Sequence, residues 1–520
     1  MTILALDAGT TGVTALVIDD TAQVVARGYR EFPQYFPADG WVEHDPAEIW
    51  TAVCDATAAA LSALDPARPG PTAIGVTNQR ETLVVWDRRT LRALRPAIVW
   101  QDRRTAGIVA EFEAAGHGPL VTERTGLRLD PYFTASKATW LLRHEPKVWD
   151  EVRAGRAVIG TVDSYLLARM SAGAVHVTDA SNASRTLLFN ITTGTWDEDL
   201  CAAFGVPLTC LPEIRPSIGM LTRTDPGAFG GLSLPVTGLA GDQQASLYGH
   251  RCLRPGQTKC TYGTGAFLMQ NTGAEIVRTN AGLLTTVAWQ DQDGRLTYAL
   301  EGAVFVAGAA VSWLRDGLGI VESAEATAAI AGSVADTGGV VMVPALTGLG
   351  APDWDPHARG LIIGITRATT AAHIVRATLA GIAHSVRDVV DLISSASGAA
   401  LPRLTALRVD GGAASNAVLC QMQADLCGIP ILRSASVEST AIGAALLAGV
   451  GAGIWGDADQ PTGMVDAAAT FHPGAPRGWA DAEHARWRDA VARSRGWAAG
   501  PGSPAAPATG SHSGPDQAGG

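Results

Sequence analysis

The sequence predicts an α/β protein built from two related halves. Strand-like apolar runs and amphipathic helical stretches both recur along its 520 residues. That length leaves room for two or three domains at about 100–200 residues each. The opening pattern of strand, glycine–threonine turn and strand also returns near the middle of the chain, at residues 257–269.

Residues 2–6 and 13–18 are β-prone runs joined by turn chemistry at 7–12, and 24–29 completes a meander. Further strands are expected at 73–77 and 83–86, and helices at 46–63, 131–142 and 162–170. Residues 216–235 are rich in glycine, proline and small side chains, after which the second series begins with a strand at 257–262, Gly263-Thr264-Gly265 and an apolar run at 266–269. A long amphipathic helix is expected at 373–393 and a strand at 407–410, ending in Gly411-Gly412. The stretch from 498 on is low in complexity and is expected to be disordered.

Composition removes several classes of function. The chain is 47% hydrophobic and 17% charged, against about 25% charged in a typical globular protein, so large cores are expected. Lys+Arg 39 against Asp+Glu 50 gives a net charge of −11, which argues against binding nucleic acid or an anionic membrane. The seven cysteines have no C-x-x-C spacing and read as small buried hydrophobes. The apolar stretch 441–455 is short and glycine-rich, so it reads as a buried helix rather than a membrane span. The opening M-T-I-L-A-L-D lacks a basic region and a cleavage site, so no secretory signal is expected and the cytoplasm is the expected compartment.

Three turns carry phosphate chemistry. D-A-G-T-T-G (7–12) supplies a carboxylate, glycines that let backbone N–H groups approach an anion, and hydroxyl donors. Standing alone it is an ordinary hairpin turn. T-Y-G-T-G (261–265) offers a second cradle, and D-G-G-A-A-S-N (410–416) follows a strand and should open a helix, where a nucleotide can lie against bare backbone. Together they point to a nucleotide site in which Asp7 can hold magnesium, directly or through water. Lysine occurs only at Lys137, Lys147 and Lys259, none of them after G-x-x-x-x-G, so this is no P-loop. The G-x-G-x-x-G at 451–456 follows a helical run and reads as helix-end glycine.

A second constellation suits a small polyol. N-Q-R-E-T (78–82), W-Q-D-R-R (100–104), D-P-Y-F (130–133) and A-G-D-Q-Q (240–244) place carboxylates, amides, arginine and aromatic faces at element ends. Carboxylates and an arginine bind hydroxyls, while rings cover the carbon backbone.

Through these strings, with G-W-V-E-H-D-P (40–46), D-P-Y-F-T-A-S-K (130–137), H-V-T-D-A-S-N-A-S-R-T (176–186), Y-A-L-E-G-A-V-F-V-A-G-A-A (298–310) and P-A-L-T-G-L-G-A-P-D-W-D-P (344–356), the chain resembles the glycerol kinases of the FGGY carbohydrate-kinase family, within the actin-like ATPases. The resemblance implies two ribonuclease-H-like domains flanking a central cleft: 1–245 on the polyol side with the first phosphate turn, 246–497 on the nucleotide side, and 498–520 as a tail. It implies ATP, Mg2+ and glycerol as ligands, sn-glycerol 3-phosphate as product, and by analogy a homodimer or homotetramer. Carried over by position, Arg80, Glu81, Tyr132, Asp242 and Gln243 would bind the glycerol hydroxyls, Trp100 and Phe267 would pack its carbon edge, and Asp242 would be the general base. Thr10, Thr11, Gly12, Thr264, Gly308, Ser312, Gly412 and Asn416 would face the nucleotide, with Asp7 and Asp242 nearest the metal. A kinase for another small polyol or ketose, or a catalytically weak ligand-binding paralogue, is the alternative.

Some positions depart from the family. Its first turn reads D-Q-G-T-T-S-S-R or S-T-R, whereas here Gly12 replaces a serine and Thr14 the arginine that contacts phosphate. Losing a charge-assisted contact there is expected to lower turnover or ATP affinity. Ser312 stands where a glutamine is usual, and Ser233, after Gly230-Gly231-Leu232, where bacterial members carry an arginine that helps bind fructose bisphosphate. Inhibition by that ligand through this loop is not expected.

Overall fold

The computed structural model describes residues 1–279, 281–397, 401–461 and 467–498. The tail beyond Ala498 lies outside the described residues.

The first half is organised on a six-stranded sheet. β1 (Thr2–Ala8) and β2 (Gly12–Asp19) are almost wholly buried, as their unbroken apolar runs require, and β3 (Val24–Glu31) alternates between exposed and buried positions at the edge. These three form the expected antiparallel meander. β4 (Pro71–Asn78) pairs parallel with β1, and β6 (Pro235–Gly241) parallel with β4, while β5 (Ile218–Arg223) closes the other edge, for an order β5-β6-β4-β1-β2-β3. Helix α1 (Pro46–Ala63) covers the sheet beneath β2 and β3, with the Asp45 carboxylate capping it at the Ala47 N–H.

The second half repeats the plan. β7 (Thr258–Tyr262), β8 (Ala266–Gly273) and β10 (Leu296–Val304) form an antiparallel meander, and β11 (Leu407–Asp410) and β12 (Ile431–Arg433) add in parallel beyond β7. With β9 (Leu284–Gln290) and β13 (Ala469–Phe471) at the edges the order is β9-β10-β8-β7-β11-β12-β13. The series β3-β2-β1-β4-β6 thus matches β10-β8-β7-β11-β12 in order and sense. The strand–turn–strand echo in the sequence marks the first hairpin of each copy.

Between β4 and β5 the chain inserts its own apolar cluster, which carries α2 (Thr134–His144). The helix expected from 131 starts later because the Asp130 carboxylate takes the Tyr132 N–H at 2.9 Å and holds 130–132 as a turn. The helices expected at 46–63 and 162–170 form at those bounds. α4 (Ala371–Ser397) is the long amphipathic helix and extends beyond the expected 373–393.

Helix α3 (Asp242–Gly249) follows β6, and α6 (Ser439–Gly451) follows β12 but packs back on the first sheet. A methyl group on Gly443 would stand 1.8 Å from the Ala245 carbonyl oxygen, so the α3–α6 crossing requires glycine. Gly75 and Gly238 approach the α6 backbone in the same way. Residues of β1, β2, β8, α3 and α6 share one apolar cluster, which joins the halves at the base of the cleft. The run read as one buried helix at 441–455 is helical only to Gly451, and the G-x-G-x-x-G there is helix end and turn. Six cysteines are buried and Cys54 is half-buried; all are free thiols. Among the described residues no helix is long and apolar enough to cross a membrane.

Candidate active site

The segments after β4 and β6, the interior of β10 and the turn before α2 meet at a buried knot of charge. Arg80 and Glu81 follow β4 and are 2% and 1% exposed. Glu81 holds φ at +62°, a region few side chains visit, and Arg185 fixes it there through Nε–Oε1 at 2.7 Å. Arg80 uses its whole fork. Nη1 donates to Glu301 Oε2 at 2.7 Å and to Gln244 Oε1 at 3.2 Å, and Nη2 to Glu301 Oε1 at 3.1 Å and to the Tyr132 hydroxyl at 3.4 Å. Its Nε lies 3.1 Å from Asp242 Oδ1. Glu301 also accepts from Arg185 Nη2 at 3.0 Å.

Burial alone would raise the Glu301 carboxyl, but Arg185 and Arg80 hold it down at about 2. Asp242 opens α3, and burial raises its pKa against the opposing pull of Arg80. A raised carboxylate is the stronger base. Gln243 accepts a hydrogen bond from the fully buried Lys259 ammonium, which also donates to Thr261 Oγ1 at 3.0 Å. Burial lowers the Lys259 pKa.

The aromatic wall spans both halves. The Trp100 ring meets Tyr132 edge-on at 5.5 Å and Phe267, from β8, at 6.4 Å. Trp100 Nε1 donates to Thr10 Oγ1 at 3.0 Å, which ties the polyol wall to the first phosphate turn. Thr10 and Thr11 lie in the β1–β2 turn, Gly12 opens β2, and Asp7 stands near the end of β1. One Asp7 oxygen is sealed from solvent and has no partner. Burial, with Asp242 and Glu438 nearby, raises the Asp7 pKa to about 8. An orphaned carboxylate oxygen is the condition a hard divalent cation relieves, and Mg2+ commonly takes one or two protein carboxylates and keeps waters. Asp7 therefore fits the metal expected from the sequence, with Asp242 as its neighbour.

In the second half a cavity of about 460 Å³ is lined by Thr264, Gly308, Ser312, Gly412 and Asn416, together with Arg315, Thr327 and Leu379. Its size suits a nucleotide-scale ligand. Gly411 has φ +88°, and a methyl group there would sit 2.3 Å from the Tyr262 carbonyl, so glycine lets β11 turn against the second phosphate loop. Helix α5 (Ala417–Cys427) begins past a 3-10 turn at Gly412–Ser415. Asn416 caps α5, accepting from Val418 N and Leu419 N at 3.0 and 3.1 Å, while its amide donates to Thr327 Oγ1 at 3.0 Å. Thr14 is buried and faces Asp7 across the β1–β2 pairing. Ser233 is exposed, and its carbonyl accepts from Arg223 at 2.9 Å.

The structure thus gathers the expected polyol residues around one buried cluster, places Thr264, Gly308, Ser312, Gly412 and Asn416 on one cavity, and leaves Thr10, Thr11 and Gly12 at the first turn, outside that cavity's lining. Sequence reasoning gave no site role to Glu301, Arg185 and Lys259, and named Gln244 only within the A-G-D-Q-Q string (240–244). A signal was present: a lone carboxylate within Y-A-L-E-G-A (298–303), or a lysine within β7, is a charge in an otherwise buried strand and must be paired.

Comparison with known proteins gives the family. Residues 2–249 match the model of the N-terminal domain of the FGGY family of carbohydrate kinases and residues 258–452 that of its C-terminal domain. Glycerol kinase from Rhodospirillum centenum is 50% identical over 95% of this chain and 98% of its own length, and that from Koribacter versatilis 49% over the same shares. The structure of Plasmodium falciparum glycerol kinase with ADP superposes with a TM-score of 0.87 at 34% identity, covering 95% of this chain and 98% of that one. Xylulose kinase from Rhodospirillum rubrum gives 0.82 at 26%, covering 95% and 99%. The chain belongs to the FGGY family of carbohydrate kinases, within its glycerol-kinase branch.

Proposed function

We propose that this chain transfers the γ-phosphoryl group of ATP to a terminal hydroxyl of glycerol, giving sn-glycerol 3-phosphate and ADP. The observation that carries the reading is the position of Asp242. It is a carboxylate of raised pKa held 3.1 Å from the Arg80 Nε and close enough to the orphaned Asp7 to raise the pKa of that carboxyl. Asp242 takes the hydroxyl proton as the oxygen attacks phosphorus, the new O–P bond forms, and the bond to the ADP oxygen breaks.

Arg80, Glu81, Tyr132 and Gln243 bind the hydroxyls, and Trp100 with Phe267 covers the carbon edge. The outer nitrogens of Arg80 make four hydrogen bonds, and the longest of them, 3.4 Å to Tyr132, is the one a substrate hydroxyl displaces most readily. The nucleotide lies in the cavity of the second half, its phosphates between Thr10-Thr11-Gly12 and Thr264, with Gly308, Ser312, Gly412 and Asn416 on the walls. Asp7 would hold magnesium, which would supply neutralisation of phosphate charge. Phosphoryl transfer depends on positioning and charge neutralisation more than on covalent catalysis. Closing the halves assembles both and excludes water that would otherwise accept the phosphoryl group.

The test is ADP release with magnesium, ATP and a panel of glycerol, erythritol, dihydroxyacetone, xylulose and no acceptor. Release that depends on glycerol well above the others is expected. Preference for another acceptor overturns the substrate, and ligand binding without release overturns the activity.

A further inference from the structure

We propose that Lys137 is a positioning residue for the acceptor: its buried ammonium clamps the three carbonyls of the 131–133 turn and so sets the Tyr132 side chain against Arg80 and Trp100. The proposal rests on the kinase reading for the acceptor role of Tyr132, and on geometry for the rest.

Lys137 lies in the first turn of α2 and is fully buried. A lysine seldom lies inside a protein without a carboxylate to answer it. Here all three hydrogen bonds of the ammonium run to backbone carbonyls instead, 3.0 Å to Pro131, 2.5 Å to Tyr132 and 3.2 Å to Phe133. An ammonium has three donors and no acceptor, so its whole capacity is spent on one turn. The turn needs those donors. Pro131 and Tyr132 precede the helix, and the Ala135 N–H, four residues beyond Pro131, goes to the Thr186 carbonyl at 2.9 Å. A buried carbonyl left without a donor costs as much as a lost hydrogen bond.

The residue fixed by this clamp is Tyr132. Asp130 Oδ1 accepts from its N–H at 2.9 Å while Lys137 donates to its C=O, so both backbone groups are held. Its hydroxyl accepts from Arg80 Nη2 at 3.4 Å, and its ring meets Trp100 edge-on at 5.5 Å. The following residues are anchored as well. Phe133 is fully buried, and Thr134 Oγ1 donates to the Glu81 carbonyl at 3.1 Å. Glu81, Asp102 and Asp130 favour the charge on Lys137, and Arg103 opposes it. The hydrogen bonds of Lys137 reach neither Arg80, nor Asp242, nor the lining of the nucleotide cavity. Its influence on the acceptor therefore passes through the turn.

The experiment compares full-length wild type, Lys137→Met, Tyr132→Ala and the double variant, using whichever acceptor the wild type phosphorylates. It is run at pH 6, below the value of about 7 to which burial lowers the lysine, so that all three donors are present. Lys137→Met keeps the bulk of the side chain and removes the donors. The KM for the acceptor is expected to rise about tenfold, with kcat changing by less than about threefold and the KM for ATP by less than about twofold. In the Tyr132→Ala background the same substitution should raise the acceptor KM by less than about twofold, because the group it positions is gone. Equal rises in the two backgrounds, or a fall in kcat with both KM values unchanged, overturn the proposal, since loose packing acts whether or not Tyr132 is present. If Lys137→Met does not fold, Lys137→Gln keeps an amide donor and is expected to give the same pattern with a smaller rise. If the wild type phosphorylates no acceptor, the kinase reading fails instead. Crystal structures of the wild type and the variant without substrate then make the comparison: a Tyr132 hydroxyl displaced from Arg80 by about 1 Å or more supports the positioning role, and an unmoved one overturns it.

Discussion

The polyol-facing cluster is dense in buried charge, whereas the nucleotide cavity is walled mainly by glycine backbone, small hydroxyls and Asn416. On the proposed reading the first binds a ligand with no charge of its own, so its arginines must be answered by protein carboxylates before any substrate arrives. On the same reading the second receives a polyanion, and its turns present N–H groups and hydroxyls. One region is therefore held rigid by its own ion pairs, and the other is held by turns. The two differ in which substitutions they tolerate and in how openly the sequence declares them.

The largest expected effect lies where the regions meet. Asp242→Asn keeps the size of the side chain and removes the base, so kcat should fall about 10²–10⁴-fold while the KM for ATP stays near that of the wild type. Steady-state kinetics with both substrates varied decides this. A near-wild-type kcat would place the base elsewhere and break the comparison at its hinge.

Arg185→Met probes the charged region by itself. Arg185 is fully buried against Glu81 and Glu301, so its removal leaves anions unpaired and should cost roughly 3–5 kcal/mol of stability. Denaturant unfolding measures it. A loss comparable to that of a surface substitution would mean the cluster relaxes or admits water, and its rigidity would no longer separate it from the cavity.

These residues also show what the sequence could and could not disclose. The doubled fold was legible because both hairpin turns need glycine and threonine at fixed places, and Asp7-to-Gly12 and Gly263-to-Gly265 therefore look alike on the page. The cavity of the second half was legible for the same reason, since close backbone approach leaves a trace in glycine. Glu301 and Arg185 left less trace. They lie 116 residues apart and belong to different halves, and neither has a local motif that its partner completes. Asn416 was legible as a position but not as a structure, because its side chain is occupied in capping α5 and binding Thr327.

Asp7 gives a third, pH-dependent test. Its carboxyl is raised from 3.8 to about 8 in the folded chain, so the folded state binds the proton more tightly than the unfolded state. Its contribution to stability is complete below 3.8 and is lost as pH rises toward about 8. Asp7→Asn should therefore flatten the fall in Tm between pH 5 and pH 8 (on the order of the window set by the linkage), while abolishing any added stabilisation by Mg2+ with nucleotide. Calorimetry at both pH values, with and without the ligands, checks both parts. An unchanged slope would show that Asp7 is already paired or hydrated without metal.

The smallest effect should come from the cavity wall, and two substitutions at Asn416 separate its duties. Asn416→Ala removes the oxygen that caps α5, a loss of about 0.5–2 kcal/mol, along with the N–H bonded to Thr327. Asn416→Asp restores a capping oxygen but loses that N–H and adds a negative charge beside the phosphates. If the cavity works through backbone and turn geometry, the alanine variant should lose stability with only a modest rise in the KM for ATP, and the aspartate variant should regain stability while its KM for ATP rises further. The KM for glycerol should stay unchanged in both. Equal damage to the two KM values would instead join the regions energetically, through the Thr10–Trp100 hydrogen bond that already links the first phosphate turn to the polyol wall.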